Sequence, residues 1–167
     1  APWLIFVNHH EELDLFEVLL DSFTDIWQSL SVADPIQTPT THGPIASNIF
    51  ISHGQNTTVR DSIMIFLSTR LGLVPQLCAN TPRGITLIKN LQKTIDLCTM
   101  ALIIMTKEDV TIAKTSRARQ NVVYELGYCH CRFGIAKTVI MIEEGLEKPT
   151  NIDGVIYVPF QRDNIEA

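Results

Sequence analysis

Glu125 stands inside the run RARQNVVYELGYC, residues 117–129, where a single carboxylate is set beside an apolar stripe at helical spacing. At about 100° per residue, Val122, Leu126, Cys129 and Phe133 share one face. Arg117, Asn121, Glu125 and Tyr128 form a second stripe along its edge. An acid at such a border is partly desolvated yet open to a ligand, the condition that tunes carboxylates for catalysis. The competing reading is a surface ion pair between Glu125 and a nearby arginine.

Few other residues join it as candidate chemistry. His53-Gly54, after an apolar run, offers a close backbone approach to a phosphate, or else a plain strand-to-helix turn. Asn56-Thr57-Thr58 reads as a helix cap. The chain has no GxGxxG and no P-loop, which removes support for ordinary dinucleotide redox or NTPase chemistry. Ser52 and His53 are adjacent, an awkward geometry for direct base activation, and no nucleophile elbow is present. Cys129-His130-Cys131 suggests zinc, but on a helix neighbours two apart point about 200° from each other, so the expectation is no metal site. A lone acid suits cleavage of a bond whose leaving group departs easily. An N-glycosidic bond to cationic nicotinamide fits, since the departing group is neutral and the developing oxocarbenium ion needs only a carboxylate nearby.

The elements that must position these residues follow from periodicity. NIFIS (48–52) predicts a first strand, 57–71 a helix ending at Gly72, and 74–78 a second short strand. A turn with Pro82 and Gly84 leads to a helix over 86–97, and TMALIIM (99–105) predicts a fully buried third strand. The helix of Glu125 follows, then a fourth strand over 138–142 and a last short one at 155–158. This alternation predicts a flavodoxin-like α/β fold: five parallel strands in the order 2-1-3-4-5, with helices on both faces. Its switch point lies between strands 1 and 3, where ligands bind beyond the carboxyl ends. There Ser52-His53-Gly54 and Thr106 to Asp109 would meet. A helix starting at Arg117 puts Glu125 two turns from that rim, whereas a start near Asn121 brings it close.

Ahead of this unit the pattern differs. Residues 1–33 predict an amphipathic helical segment, read as the end of an upstream module or a docking helix, and 34–47, with three prolines, reads as a linker. The domain is expected over 48–160, with 161–167 as a tail. The net charge is −5, and residues 1–59 carry acidic residues but no Lys or Arg. Scattered basic residues argue against a general nucleic-acid binder, although Arg60, Arg83, Arg117 and Arg119 could converge on a local anion. The longest apolar runs are too short to cross a bilayer, so a cytoplasmic protein off the membrane is expected. Cysteines 78, 98, 129 and 131 read as reduced core thiols.

Six segments, in this order and at these spacings, carry a resemblance: NIFISHGQN, LGLVPQL, RGITLIKNL, ALIIMTKEDV, RARQNVVYELGY and GVIYVPF. Together they resemble the bacterial TIR-like (Toll/interleukin-receptor-like) predicted nucleotide-binding domain family, over about residues 48–160. That family usually has HGR followed by Asp or Asn in the first loop, nearly TPDD after the third strand, and nearly RARQNVVFELGYF on the helix. Gln55, Lys89 and Lys107-Glu108 depart from this pattern, where Arg, Glu and Pro-Asp are common, and bear on substrate preference and gating.

The resemblance implies an antiviral-defence effector that cleaves NAD to nicotinamide and ADP-ribose, or a cyclised product, upon self-association. NAD is then substrate, and no recycled cofactor is needed. It implies Glu125 as the catalytic acid, with Asp109, Arg117, Arg119 and Asn121 at motif positions and Ser52, His53 and Gly54 lining the phosphate or ribose side. It further implies an assembly loop at 79–84 and an upstream sensor of a cyclic nucleotide or other signal. The rival readings are a nucleoside deoxyribosyltransferase-like enzyme with a nucleophilic Glu and a non-catalytic TIR assembly scaffold.

Overall fold

A computed structural model describes Asp21, residues 47–78 and residues 86–166. The helical segment at 1–33, apart from Asp21, the linker before residue 47 and the assembly loop at 79–84 lie outside the described residues. Strands β1 (Asn48–His53), β2 (Val74–Leu77), β3 (Met100–Met105), β6 (Thr138–Glu143) and β7 (Val158–Phe160) form one sheet in the order β2-β1-β3-β6-β7, every pair parallel. This is the expected order. The numbering jumps because a two-stranded hairpin, β4 (Asp109–Val110) with β5 (Ser116–Arg117), follows β3.

β3 and β6 are buried along their whole length, as central parallel strands covered on both faces must be. Their alternating side chains supply two cores. On one face Ile49, Ile51, Leu102, Ile104 and Met141 meet Val59, Ile63 and Leu67 of helix α1 (Thr57–Arg70). On the other, Phe50, Ala101, Ile103 and Ile140 meet Leu91 and Ile95 of α2 (Leu87–Asp96) and Val122, Leu126 and Cys129 of α3 (Gln120–Phe133). Asn56 caps α1, its side chain accepting from the Val59 N–H at 3.1 Å, as its place in the sequence suggested. Gly134, at φ 80°, closes α3 in a backbone region open to glycine.

Three details differ from the periodic reading. Arg117 is not on the Glu125 helix: it pairs with Asp109 in the hairpin, and two-residue strands are too short to leave a period in the sequence. The last strand lies at Val158–Phe160, three residues later than expected. Before it, a 3-10 turn over Thr150–Ile152 and Gly154 at φ 86° fold the chain, and the Val155 N–H bonds to Ile152 O. In the segment read as a tail, Asp163–Glu166 form a short helix, α4, and Ile165 is buried on the α1 side.

All four cysteines are free thiols, with Cys98 and Cys129 in the core, Cys78 half-buried and Cys131 exposed. Cys129 and Cys131 thus face opposite ways. Among the described residues no helix is long and apolar enough to cross a membrane.

Candidate functional site

β1 and β3 are neighbours in the sheet, yet the chain leaves β1 toward the face of α1 and leaves β3 toward the face of α3. Their carboxyl ends therefore open a crevice between two diverging loops. Ser52, next to last in β1 and 1% exposed, shares its parity with Phe50 and so points to the α3 side. α3 begins at Gln120, not Arg117, which sets Glu125 near its amino end and within reach. The Ser52 hydroxyl donates to Glu125 Oε2 at 2.6 Å.

Glu125 is half-buried, at the margin of the stripe formed by Val122, Leu126 and Cys129. Burial pushes its carboxyl above the ordinary glutamate value, and the Ser52 hydrogen bond opposes that rise by favouring the ionised form. No arginine pairs with it among the described ion pairs, so the surface-pair reading does not hold. Two thiols lie within its field. Cys129 is pushed up to about 12, by burial first and then by Glu125 and Cys98; Cys78, beyond β2, is raised by burial and then by Glu125. Both stay protonated near neutral pH, which argues against a thiolate nucleophile.

The loop after β1 is occupied in an unforeseen way. Glu108, whose side chain is 9% exposed, turns into the crevice, and its Oε1 accepts from three donors. These are the Gln55 N–H at 2.5 Å, the Asn56 N–H at 3.1 Å and the Thr106 hydroxyl at 2.6 Å. A methyl group on Gly54 would collide with this carboxylate, so Gly54 does permit a close approach, but to the chain's own anion. His53 bonds through Nδ1 with Gly54 O at 2.7 Å, and burial, the largest influence, lowers its pKa, so the imidazole is neutral at pH 7. The loop after β3 is braced from behind by Glu143, which accepts from the Lys107 N–H and from Arg162 Nη2, each at 2.8 Å. Burial alone would raise the Glu143 carboxyl; these bonds and the flanking cations hold it below the ordinary value.

The remaining expected residues divide. Arg119 stands at the cap position of α3, with Nε 4.0 Å from Glu108 Oε2, so it belongs to the crevice. Asn121 is exposed on the first turn of α3. Asp109 and Arg117 are exposed on the hairpin, and Arg117 makes an ion pair with Glu147 that holds the guanidinium pKa above its ordinary value. Both line a separate cleft of about 550 Å³ that also includes Val123 and Glu147. Val123 and Glu125 lie some 200° apart around α3, which puts this cleft on the opposite flank from the acid. Among the described residues no group of three His, Cys, Asp or Glu side chains is placed to hold a metal ion.

Residues 48–162 match the family model described as "CAP12/Pycsar effector protein, TIR domain". The chain is 33% identical over 125 residues to the uncharacterized protein YuaY of Escherichia coli (strain K12), covering 71% of this chain and 42% of that protein. It is 27% identical over 131 residues to the protein tirC of Dictyostelium discoideum, covering 69% of this chain and 65% of that protein. The chain thus spans less than two thirds of the length of either relative.

Proposed function

From the premise that the chain belongs to the CAP12/Pycsar effector TIR-domain family, we propose that it cleaves the N-glycosidic bond of NAD, with Glu125 as the catalytic carboxylate. The observation that carries this reading is the Ser52–Glu125 pair: a half-buried acid, held by one hydroxyl, at the switch point where this fold takes ligands.

The chemistry asks little more of the protein. As the bond between the ribose anomeric carbon and nicotinamide breaks, its electron pair leaves with the nicotinamide, which becomes neutral. Positive charge spreads over the ribose carbon and ring oxygen. Ionised Glu125 stabilises that charge, and partial burial makes the attraction stronger than it would be in water. Water then adds to the carbon and loses a proton, giving ADP-ribose, or an adenine nitrogen of the same molecule adds and gives a cyclic product. The full protein, in this reading, is a cytoplasmic defence effector in which a sensor of a cyclic nucleotide drives self-association of the TIR domain.

Nicotinamide release from NAD by concentrated or artificially clustered protein tests the reading. Glu125→Gln keeps the shape and the Ser52 bond but removes the charge, and is expected to lower the rate by about a hundredfold or more. Release that is undiminished in Glu125→Gln would remove the catalytic role. A covalent deoxyribosyl-enzyme with no nicotinamide release would favour nucleoside transfer instead.

A further inference from the structure

We propose that Glu108 is a positioning residue, clamping the loop after β1 to the start of α3 and so setting the distance between Ser52 and Glu125. The activity readouts below rest on the NAD-cleaving reading. Glu108 Oε1 gathers donors from both sides of the crevice: Gln55 and Asn56 from the β1–α1 loop, and Thr106 from the end of β3. Its Oε2 is buried without a hydrogen-bond partner, and Arg119, at the cap position of α3, faces it. Ser52 lies three residues before Gln55, and Glu125 six residues after Arg119. One side chain therefore connects the two short lengths of backbone that present the pair. Small displacements between reacting groups cost large factors in rate, so a clamp of this kind acts on turnover more than on substrate affinity.

Gly54 offers a way to disturb the clamp while Glu108, Ser52 and Glu125 keep their own side chains. Its φ is not in the left-handed region, so alanine is compatible with the backbone, and a methyl there would displace the Glu108 carboxylate. The groups around Glu125 are Ser52 on β1, Cys78 beyond β2 and Cys129 on its own helix, and Gly54→Ala changes none of these side chains.

The experiment compares wild type, Glu108→Ala, Glu108→Gln and Gly54→Ala as clustered protein, over a range of NAD concentrations and pH. Glu108→Ala and Gly54→Ala are expected to lower kcat by about ten- to a hundredfold with little change in KM. The acid limb should move away from its wild-type position, since the Ser52 bond and the burial that together set the Glu125 value both change. Glu108→Gln keeps a carbonyl acceptor for the β1–α1 loop but loses the link to Arg119 and the charge that strengthens its three bonds, so its kcat should fall between those of wild type and Glu108→Ala. Wild-type kcat and acid limb in both Glu108→Ala and Gly54→Ala, or a rise in KM alone, overturn the clamp. If wild type releases no nicotinamide, the NAD reading fails by itself, and carbon-13 titration of the Glu125 carboxyl decides the clamp. A shifted curve in Gly54→Ala supports it; an unchanged curve overturns it.

Discussion

Ser52 Oγ and Glu125 Oε2 are 2.6 Å apart although 73 residues separate them in the chain. The contact depends on two features of the fold. Ser52 must sit at an even step from Phe50 on β1 to face α3, and α3 must begin at Gln120 to bring its second turn to the crevice. A one-residue slip in the β1–β3 register, now Ser52 opposite Ile103, would turn the hydroxyl to the α1 face. The two cores fix that register, since the same slip would exchange Phe50 with Ile49 and Ile51.

Ser52→Ala removes the one interaction that favours ionised Glu125 over its protonated form. The Glu125 pKa should then rise further. Because the carboxylate is the working form, the acid limb of kcat/KM for nicotinamide release is expected to move to higher pH. Activity at neutral pH should fall by roughly tenfold or more, the scale of a hydrogen bond to a charged group. An acid limb that stays in place or moves down would mean that the hydroxyl does not act on Glu125.

Glu125→Gln should stabilise the fold while it slows the chemistry. The carboxyl's folded-state value lies above its ordinary value of 4.5, so ionisation is harder in the folded protein than in the unfolded chain. Well below 4.5 both states hold the proton and folding bears no penalty. As pH rises through the folded-state value the penalty becomes complete and remains at higher pH. Thermal unfolding should therefore give a higher Tm for Glu125→Gln than for wild type at pH 8, with the difference shrinking toward pH 4. A variant that is less stable at pH 8, or a gap independent of pH, contradicts the desolvated carboxylate.

How far the sequence could be read follows from what periodicity senses. The buried run Met100–Met105, the alternation of strand and helix, and the edge position of Glu125 all repeat over several residues, and each is found where the spacing put it. Glu108 does not. It stands in Lys107-Glu108-Asp109, three charged residues in a row, and only the path of the backbone decides which one turns inward. Asp109 opens the hairpin toward solvent, while Glu108 reaches the N–H groups of the first loop. The signal that was available was position: the segment directly follows a fully buried parallel strand beside the switch point. Arg117 was drawn into the helical stripe by its spacing from Asn121 and Glu125, and a two-residue extended segment carries nothing to contradict that.

The four thiols offer a check on the packing of α3 that needs no substrate. Burial pushes Cys98 up to about 11 and Cys129, also influenced by Glu125 and then Cys98, up to about 12, so near pH 8 both are inaccessible and almost wholly protonated. Cys131 is exposed on the opposite side of the helix from Cys129. Brief alkylation of the native protein with iodoacetamide at pH 8, read by peptide mass, should label Cys131 first and half-buried Cys78 more slowly. Cys98 and Cys129 should react only after unfolding in guanidinium. Labelling of Cys129 as fast as Cys131 would mean that α3 does not rest on the sheet through Val122, Leu126 and Cys129, and the placement of Glu125 beside Ser52 would fall with it.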